Sequence, residues 1–196
     1  MNGHPRLYGW TQQIFTSSRC WKFFVESDLR PVPGERLLDL GCGTGLILNF
    51  LPPLDYWGLD SDPARIRLAQ KKWGDRAHFI CSDLSRVPWP VQGPFDRVTA
   101  TGLLHHLADA EVLQVLNNVR KLLKTRAPFV TFDGCYEKQQ SPFAHLLLSM
   151  DRGKYVRDEK SYTSLARSVF KHVESRIERR FLRVPYSHLI MEMKAE

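Results

Sequence analysis

The 196-residue sequence is poor in the features that announce a membrane, secreted or metal-binding protein. No run of about 18 apolar residues occurs, so no segment reads as a membrane-spanning helix. Met1 to Thr16 mixes His4, Arg6, Gln12 and Gln13 with aromatics and lacks the apolar centre of a signal peptide. The cysteines number four, Cys20, Cys42, Cys81 and Cys135, with no CxxC pair. That pattern suits reduced thiols better than a disulfide framework or a zinc site, and a cytoplasmic location is expected. His4, His78, His145, His172 and His188 are scattered without ligand spacing, so no metal centre is expected. Internal repeats and low-complexity stretches are also missing.

Charge is present in excess of one sign, with 28 Lys and Arg against 21 Asp and Glu and a net charge of +7. Residues 152–196 carry 11 of those cations and 6 acids, so most of the surplus lies at the C-terminal end. Such an end can mark a nucleic-acid partner. Acidic residues interleave with Arg176, Arg179, Arg180 and Arg183, however, and the preferred reading is the solvated face of a twisted hairpin.

What the chain does have is the stretch Leu37-Leu38-Asp39-Leu40-Gly41-Cys42-Gly43-Thr44-Gly45. It reads as an apolar strand running into a glycine turn and then into a helix from Leu46 to Leu51. Glycines accept positive φ and let a ligand approach bare backbone. At the carboxyl end of a strand, such a turn lies where open α/β sheets bind cofactors. The spacing is GxGxG; a dinucleotide fingerprint needs a third glycine at position 46, which is Leu46.

Strand-like and helix-like segments then alternate. Asp55 to Asp60 is a second strand, and Asp62-Pro63 starts a helix with an acceptor at the N-cap and proline in the first turn. That helix ends at Gly74. His78 to Cys81 and Phe95 to Thr101 are strands three and four. Val112, Leu116, Val119 and Leu123 mark a helix over 109–124 by their spacing. Pro128 to Phe132 is strand five. Alternation of this kind implies βαβ units and a mostly parallel sheet. The end breaks the pattern: Val173 to Leu182 and Ser187 to Met193 read as a hairpin that places an antiparallel strand in the sheet. Asp133 to Asp158 reads as a long irregular connection, a candidate lid.

Four markers fall at successive strand ends. Asp39 leads the glycine turn. Asp60 closes strand two, where a carboxylate can accept both hydroxyls of a ribose. Ser82-Asp83-Leu84 follows strand three; Asp83 can accept from an exocyclic adenine amine while Leu84 adds apolar contact. Thr101-Gly102-Leu103-Leu104-His105-His106-Leu107 follows strand four and opens on the same cleft. Asp96, at the beginning of strand four, is read as structural.

In order and spacing these markers resemble the class I S-adenosylmethionine-dependent methyltransferases, in particular the small-molecule, methyltransferase type 11/12-like members with a His-His-Leu loop after strand four. The resemblance is close over residues 35–135. It implies a doubly wound, Rossmann-like α/β sheet of seven strands, order 3-2-1-4-5-7-6, mostly parallel with an antiparallel strand from the C-terminal hairpin. It implies a cofactor site built from Asp39, Gly41, Cys42, Gly43, Gly45, Asp60, Ser61, Asp83, Leu84 and Thr101. In it Asp60 holds the ribose, Asp83 the adenine and Asp39 the amino group, with the glycine turn under the methionine portion.

The layout expected is one methyltransferase domain over 1–196: a helical cap over 1–34, a cofactor core over 35–132, a lid over 133–168 and a hairpin over 169–196. His105 and His106 are the candidates for a proton acceptor, because an imidazole titrates near neutral pH; a structural role for the pair is the competing reading. Tyr8 and Trp10 of the cap, and Arg152, Tyr155 and Arg157 of the lid, are the candidate acceptor contacts. The expected activity is methyl transfer from S-adenosylmethionine, with S-adenosylhomocysteine as product, to a small-molecule acceptor. No Asn-Pro-Pro-Tyr type tetrapeptide follows strand four, which disfavours nucleic-acid amino groups. RNA or protein methylation, and a non-catalytic S-adenosylmethionine-binding partner subunit, are the alternatives; the sequence does not specify an oligomeric state.

Overall fold

A computed structural model describes residues 18–137, 140, 154–179 and 187–195. In chain order the elements are α1 (Ser18–Phe24), extended by a wider turn Val25–Leu29; β1 (Arg36–Leu40); a 3-10 turn Leu46–Asn49; β2 (Asp55–Asp60); and α2 (Pro63–Trp73). There follow β3 (His78–Cys81), β4 (Arg97–Thr101), α3 (Asp109–Leu122), β5 (Pro128–Tyr136), β6 (Arg157–Asp158), α4 (Glu159–Arg167), β7 (His172–Glu178) and β8 (His188–Lys194).

The strands form one sheet, order β3-β2-β1-β4-β5-β8-β7, with the two-residue β6 pairing beside β5. Strands β1 to β5 pair in parallel, whereas β8 is antiparallel to both β5 and β7. Setting β6 aside, this is the order the resemblance implies. Among the described residues no helix is long and apolar enough to cross a membrane.

Alternation along the strands sends side chains to two cores, one on each face. Leu38, Leu40, Val98 and Phe129 pack with α3 and α4 residues such as Leu116, Val119, Tyr162 and Ala166. Leu37, Tyr56, Val130 and Phe132 pack on the other face with Phe24 of α1 and Ile66, Ala69 and Trp73 of α2. Asp39 shares its face with Leu37 and is therefore carried into an apolar core. Helix α2 begins as expected: Asp62 Oδ1 accepts from the amides of Ala64 at 2.8 Å and Arg65 at 3.4 Å, a cap worth about 1 kcal/mol.

Several expected boundaries differ. The helix expected over Leu46 to Leu51 is only the 3-10 turn, which stops at Phe50 ahead of Pro52 and Pro53; prolines remove the donors a further turn needs. Strand β5 runs on past Phe132 to Tyr136, because β8 pairs with it through Asp133↔Leu189 and Gly134↔His188. Asp133 is thus a strand residue. The stretch expected as irregular through Asp158 also holds β6, and the proposed lid region includes α4. The hairpin strands end at Glu178 and start again at His188.

The N-terminal helix and the hairpin are tied by charge. Arg176 of β7 donates to both oxygens of Asp28, at 2.7 and 2.8 Å, and to Glu178 at 3.0 Å. Arg179 pairs with Glu137, and Lys194 with Glu192. Cations of the basic C-terminal segment are thereby committed within the fold. Arg180 and Arg183 lie outside the described residues.

Candidate functional site

The carboxyl ends of β1 to β5 lie along one edge of the sheet, and the loops there bring the four markers together. At the first, Gly41, Gly43 and Gly45 all have positive φ, +75°, +56° and +70°. The amides of Gly41 and Cys42 both donate to Leu59 O, at 2.8 and 3.0 Å, so the ladder to β2 continues into the turn. At Gly45 an added Cβ would lie 2.8 Å from Trp73 Nε1 and 2.9 Å from Phe79 Cζ; Trp73 also donates to Thr44 O at 3.0 Å. Gly43 faces open space, with nothing within 4 Å of where a Cβ would be. Cys42 is buried behind the turn, where a Cβ on Gly58 would meet its Sγ at 2.8 Å.

Two carboxylates flank this turn. Asp60 accepts from Gly43 N through Oδ2 and from Asp62 N through Oδ1, both at 2.8 Å. Asp39 is 2 % exposed. Tyr56 donates its hydroxyl to Asp39 Oδ2 at 2.6 Å, while Oδ1 has no hydrogen-bond partner. Burial, opposed by the Tyr56 hydrogen bond and aided by the charge of Asp60, pushes the Asp39 carboxyl up to about 7. The same burial holds the Tyr56 phenol well above its ordinary range.

The third marker is more open. Asp83 is exposed and takes the hydroxyl and amide of Ser85, at 2.7 and 3.0 Å, which together hold its carboxyl below the usual range. Leu84 is buried, and its carbonyl accepts from Trp89 Nε1. Ser61 is exposed beside Asp60.

The fourth marker closes over the first. Thr101 ends β4; the Gly102 amide donates to Phe132 O at 2.7 Å, and Leu103 packs over Gly41, 3.5 Å from where its Cβ would be. His105 is buried, and Asp133 Oδ1 lies 2.8 Å from its Nδ1 and 3.2 Å from its amide nitrogen. Asp133 Oδ2 is buried without a partner. His106 is exposed, its ring 4.2 Å from that of His105.

The lid candidates divide. Tyr8, Trp10 and Arg152 lie outside the described residues. Tyr155 is half-buried and its amide donates to His105 O at 2.9 Å. Arg157 calls for a correction. It was expected to offer a cation to an acceptor carboxylate or phosphate, yet it is buried with its donors spent within the chain. Nη1 donates to Leu104 O and Tyr155 O, Nη2 to Leu107 O and Asp109, and Nε to Asp109. A guanidinium has five N–H groups, so none is left for a ligand.

Sequence reasoning missed Asp133, Tyr56 and Trp73. The signal for Asp133 was an acid inside the apolar run Pro128 to Cys135, a placement that demands a partner. Among the described residues no cluster of His, Cys, Asp and Glu could hold a metal ion.

A family model described as a methyltransferase domain matches residues 37–126, the span from β1 through α3 that carries all four markers. That match, with the relatives that follow, supports a class I S-adenosylmethionine-dependent methyltransferase. The family's cofactor is S-adenosylmethionine. Among curated relatives, the ubiquinone/menaquinone biosynthesis C-methyltransferase of Burkholderia multivorans is 25% identical over 168 residues, 79% of this chain and 68% of its own. An uncharacterized methyltransferase of Geobacillus thermodenitrificans is 26% identical over 110 residues, 55% of this chain and 51% of its own, so only about half of that relative is spanned. A solved TehB-like S-adenosylmethionine-dependent methyltransferase from Corynebacterium glutamicum shares the fold, with a TM-score of 0.65 at 19% identity over 97% of this chain and 93% of that one.

The residues of this methyltransferase fold fit the family's cofactor. A cradle of left-handed glycines, one facing open space, adjoins a buried carboxylate oxygen that lacks a donor. Across the turn, each Asp60 oxygen takes one N–H and keeps further acceptor capacity.

Proposed function

We propose that this chain transfers a methyl group from S-adenosylmethionine to a small-molecule acceptor, with Asp39, Asp60, Asp83 and the 41–45 turn holding the cofactor. The unpaired oxygen of Asp39 at the foot of the glycine turn is the observation that carries this reading. An ammonium group is the donor such an oxygen lacks, and Tyr56 holds the carboxylate in place to receive it. Asp60 has lone pairs left for ribose hydroxyls, and Asp83 reaches from an exposed turn toward an adenine amine, with Leu84 as apolar support. Cys42, Ser61 and Thr101 complete the walls.

When bound, the cofactor supplies a methyl carbon already activated by its sulfonium. The chain's own work is therefore alignment, exclusion of water and control of a proton. Leu103, packed against Gly41, narrows the cleft between the first and fourth markers. Asp133, at Nδ1 of His105, favours the tautomer whose basic lone pair is on Nε2, so that atom is the one to receive a proton from the acceptor. His105, buried with Asp133 at its Nδ1, is the better candidate of the pair.

A small acceptor is favoured over RNA because Arg157, Arg176, Arg179 and Lys194 are engaged in ion pairs with acids of the same chain. A non-catalytic cofactor-binding subunit would have little use for the His105–Asp133 pair. The test is calorimetric titration with S-adenosylhomocysteine, with NADH as control, followed by an acceptor screen with labelled cofactor. Binding of S-adenosylhomocysteine alone and label in a small acceptor is the expected result. No S-adenosylhomocysteine binding overturns the cofactor assignment; label transferred only to RNA or protein overturns the acceptor class.

A further inference from the structure

We infer that Arg157 is a positioning residue for the histidine loop: its guanidinium, spread over the carbonyls of Leu104 and Leu107, holds the backbone on which His105 meets Asp133. The 3-10 turn satisfies Leu104 O through the Leu107 amide at 3.2 Å and leaves His105 O and Leu107 O to partners outside it. Arg157 adds a second donor to Leu104 O at 3.0 Å and donates to Leu107 O at 2.7 Å, and the Tyr155 amide supplies His105 O at 2.9 Å. Three carbonyls around His105 are thus held by residues 155–157. On the other side Asp133 Oδ1 takes the amide and faces Nδ1 of the same histidine. The two holds share a foundation, since Arg157 pairs in register with Cys135 of β5, two residues beyond Asp133. Asp109 fixes the plane of the guanidinium through Nε and Nη2. A lysine keeps the charge but lacks the fork that bridges two carbonyls and a carboxylate together.

The inference rests on the reading of His105 as proton acceptor only for its consequence in transfer; its test needs neither cofactor nor acceptor. The full chain carrying ¹⁵N-labelled histidine and backbone is compared as wild type, Arg157→Lys and Asp109→Asn, at a pH where the imidazole is neutral. In wild type the His105 ring nitrogens should show one tautomer, with Nδ1 protonated. In Arg157→Lys they should move toward the average of two tautomers, and amide exchange at His105, His106 and Leu107 should rise ~10-fold or more while Val115 and Val119 of α3 hold theirs. Asp109→Asn keeps the grip on the carbonyls and should leave the wild-type ring pattern. An unchanged ring pattern in Arg157→Lys overturns the inference, as does exchange that rises equally in loop and α3. A ring shift in Asp109→Asn as large as in Arg157→Lys overturns the carbonyl grip as its cause. Failure of the proposed activity would show instead in the wild-type S-adenosylhomocysteine titration, so the two failures are separable.

Discussion

The glycine turn and the histidine loop face each other across Leu103 and Gly41, yet they are built on opposite principles. The turn is a local device. Its geometry comes from residues 41 to 45, their positive φ values and backbone bonds to the adjoining β2, with Asp60 answering Gly43 from the next strand. The loop is a long-range device. His105 meets an acid 28 positions along the chain, and its flanking carbonyls are held by an arginine 50 to 53 positions away. Backbone geometry and partners on the adjoining β2 shape the first. The second keeps its shape only while distant elements stay docked.

The comparison can be broken first at the turn. Gly45→Val puts a branched Cβ at φ +70° into Trp73 and Phe79, a strain of about 1–3 kcal/mol before any clash is counted. Loss of measurable S-adenosylhomocysteine binding in calorimetry and a clear fall in Tm are expected. Wild-type affinity would show that the turn is not a tight cradle.

His105→Asn attacks the other region and should separate the two. Cofactor affinity should stay within about twofold, while transfer to an acceptor that must lose a proton falls ~10²-fold or more. An equal loss of binding and transfer would mean that His105 supports the cofactor cleft instead.

Asp60→Ala should weaken S-adenosylhomocysteine about tenfold, or about 1.4 kcal/mol. Part of that loss is indirect, because Gly43 N loses its acceptor. Equal affinity would sink the ribose assignment.

The smallest effect sharpens the role of Asp39. Its carboxyl, pushed up by burial to about 7, is largely protonated in the free protein below that pH. The native state therefore binds this proton more tightly than the unfolded chain, whose carboxyl titrates near about 4. The group's contribution to stability is greatest below about 4 and is lost as pH rises toward 7. Binding runs the other way. An ammonium ligand favours the ionised carboxylate, so S-adenosylhomocysteine affinity should rise with pH, at most about tenfold per unit, and level off above 7. Titrations from pH 5.5 to 8 check this, and Asp39→Asn should flatten the profile. A flat wild-type profile would exclude Asp39 as the partner of the amino group.

Much of the cofactor half was legible in the residues themselves. Glycine at 41, 43 and 45 at the end of an apolar strand marks a turn that needs positive φ, and Asp62-Pro63 marks a helix start by its own chemistry. Where reading by position erred, a distant partner or a nearby proline had decided the matter. Strand β5 continues to Tyr136 because β8 pairs with it, and the helix after Gly45 stops short ahead of Pro52. Arg157 was visible as a cation but not as a buried one, since its partners at Leu104, Leu107 and Asp109 come from another part of the chain.

The sequence by itself determined the alternating strands and helices, the glycine turn and the acids at the strand ends, because local dihedral preference and hydrophobic period act over a few residues. Only the tertiary structure decided that Asp133 lies beside His105, which arginine is spent inside the fold and which aspartate is left with an unpaired oxygen. Those outcomes depend on burial and on pairings between distant segments, and the order of residues in a chain does not contain the distances that settle them.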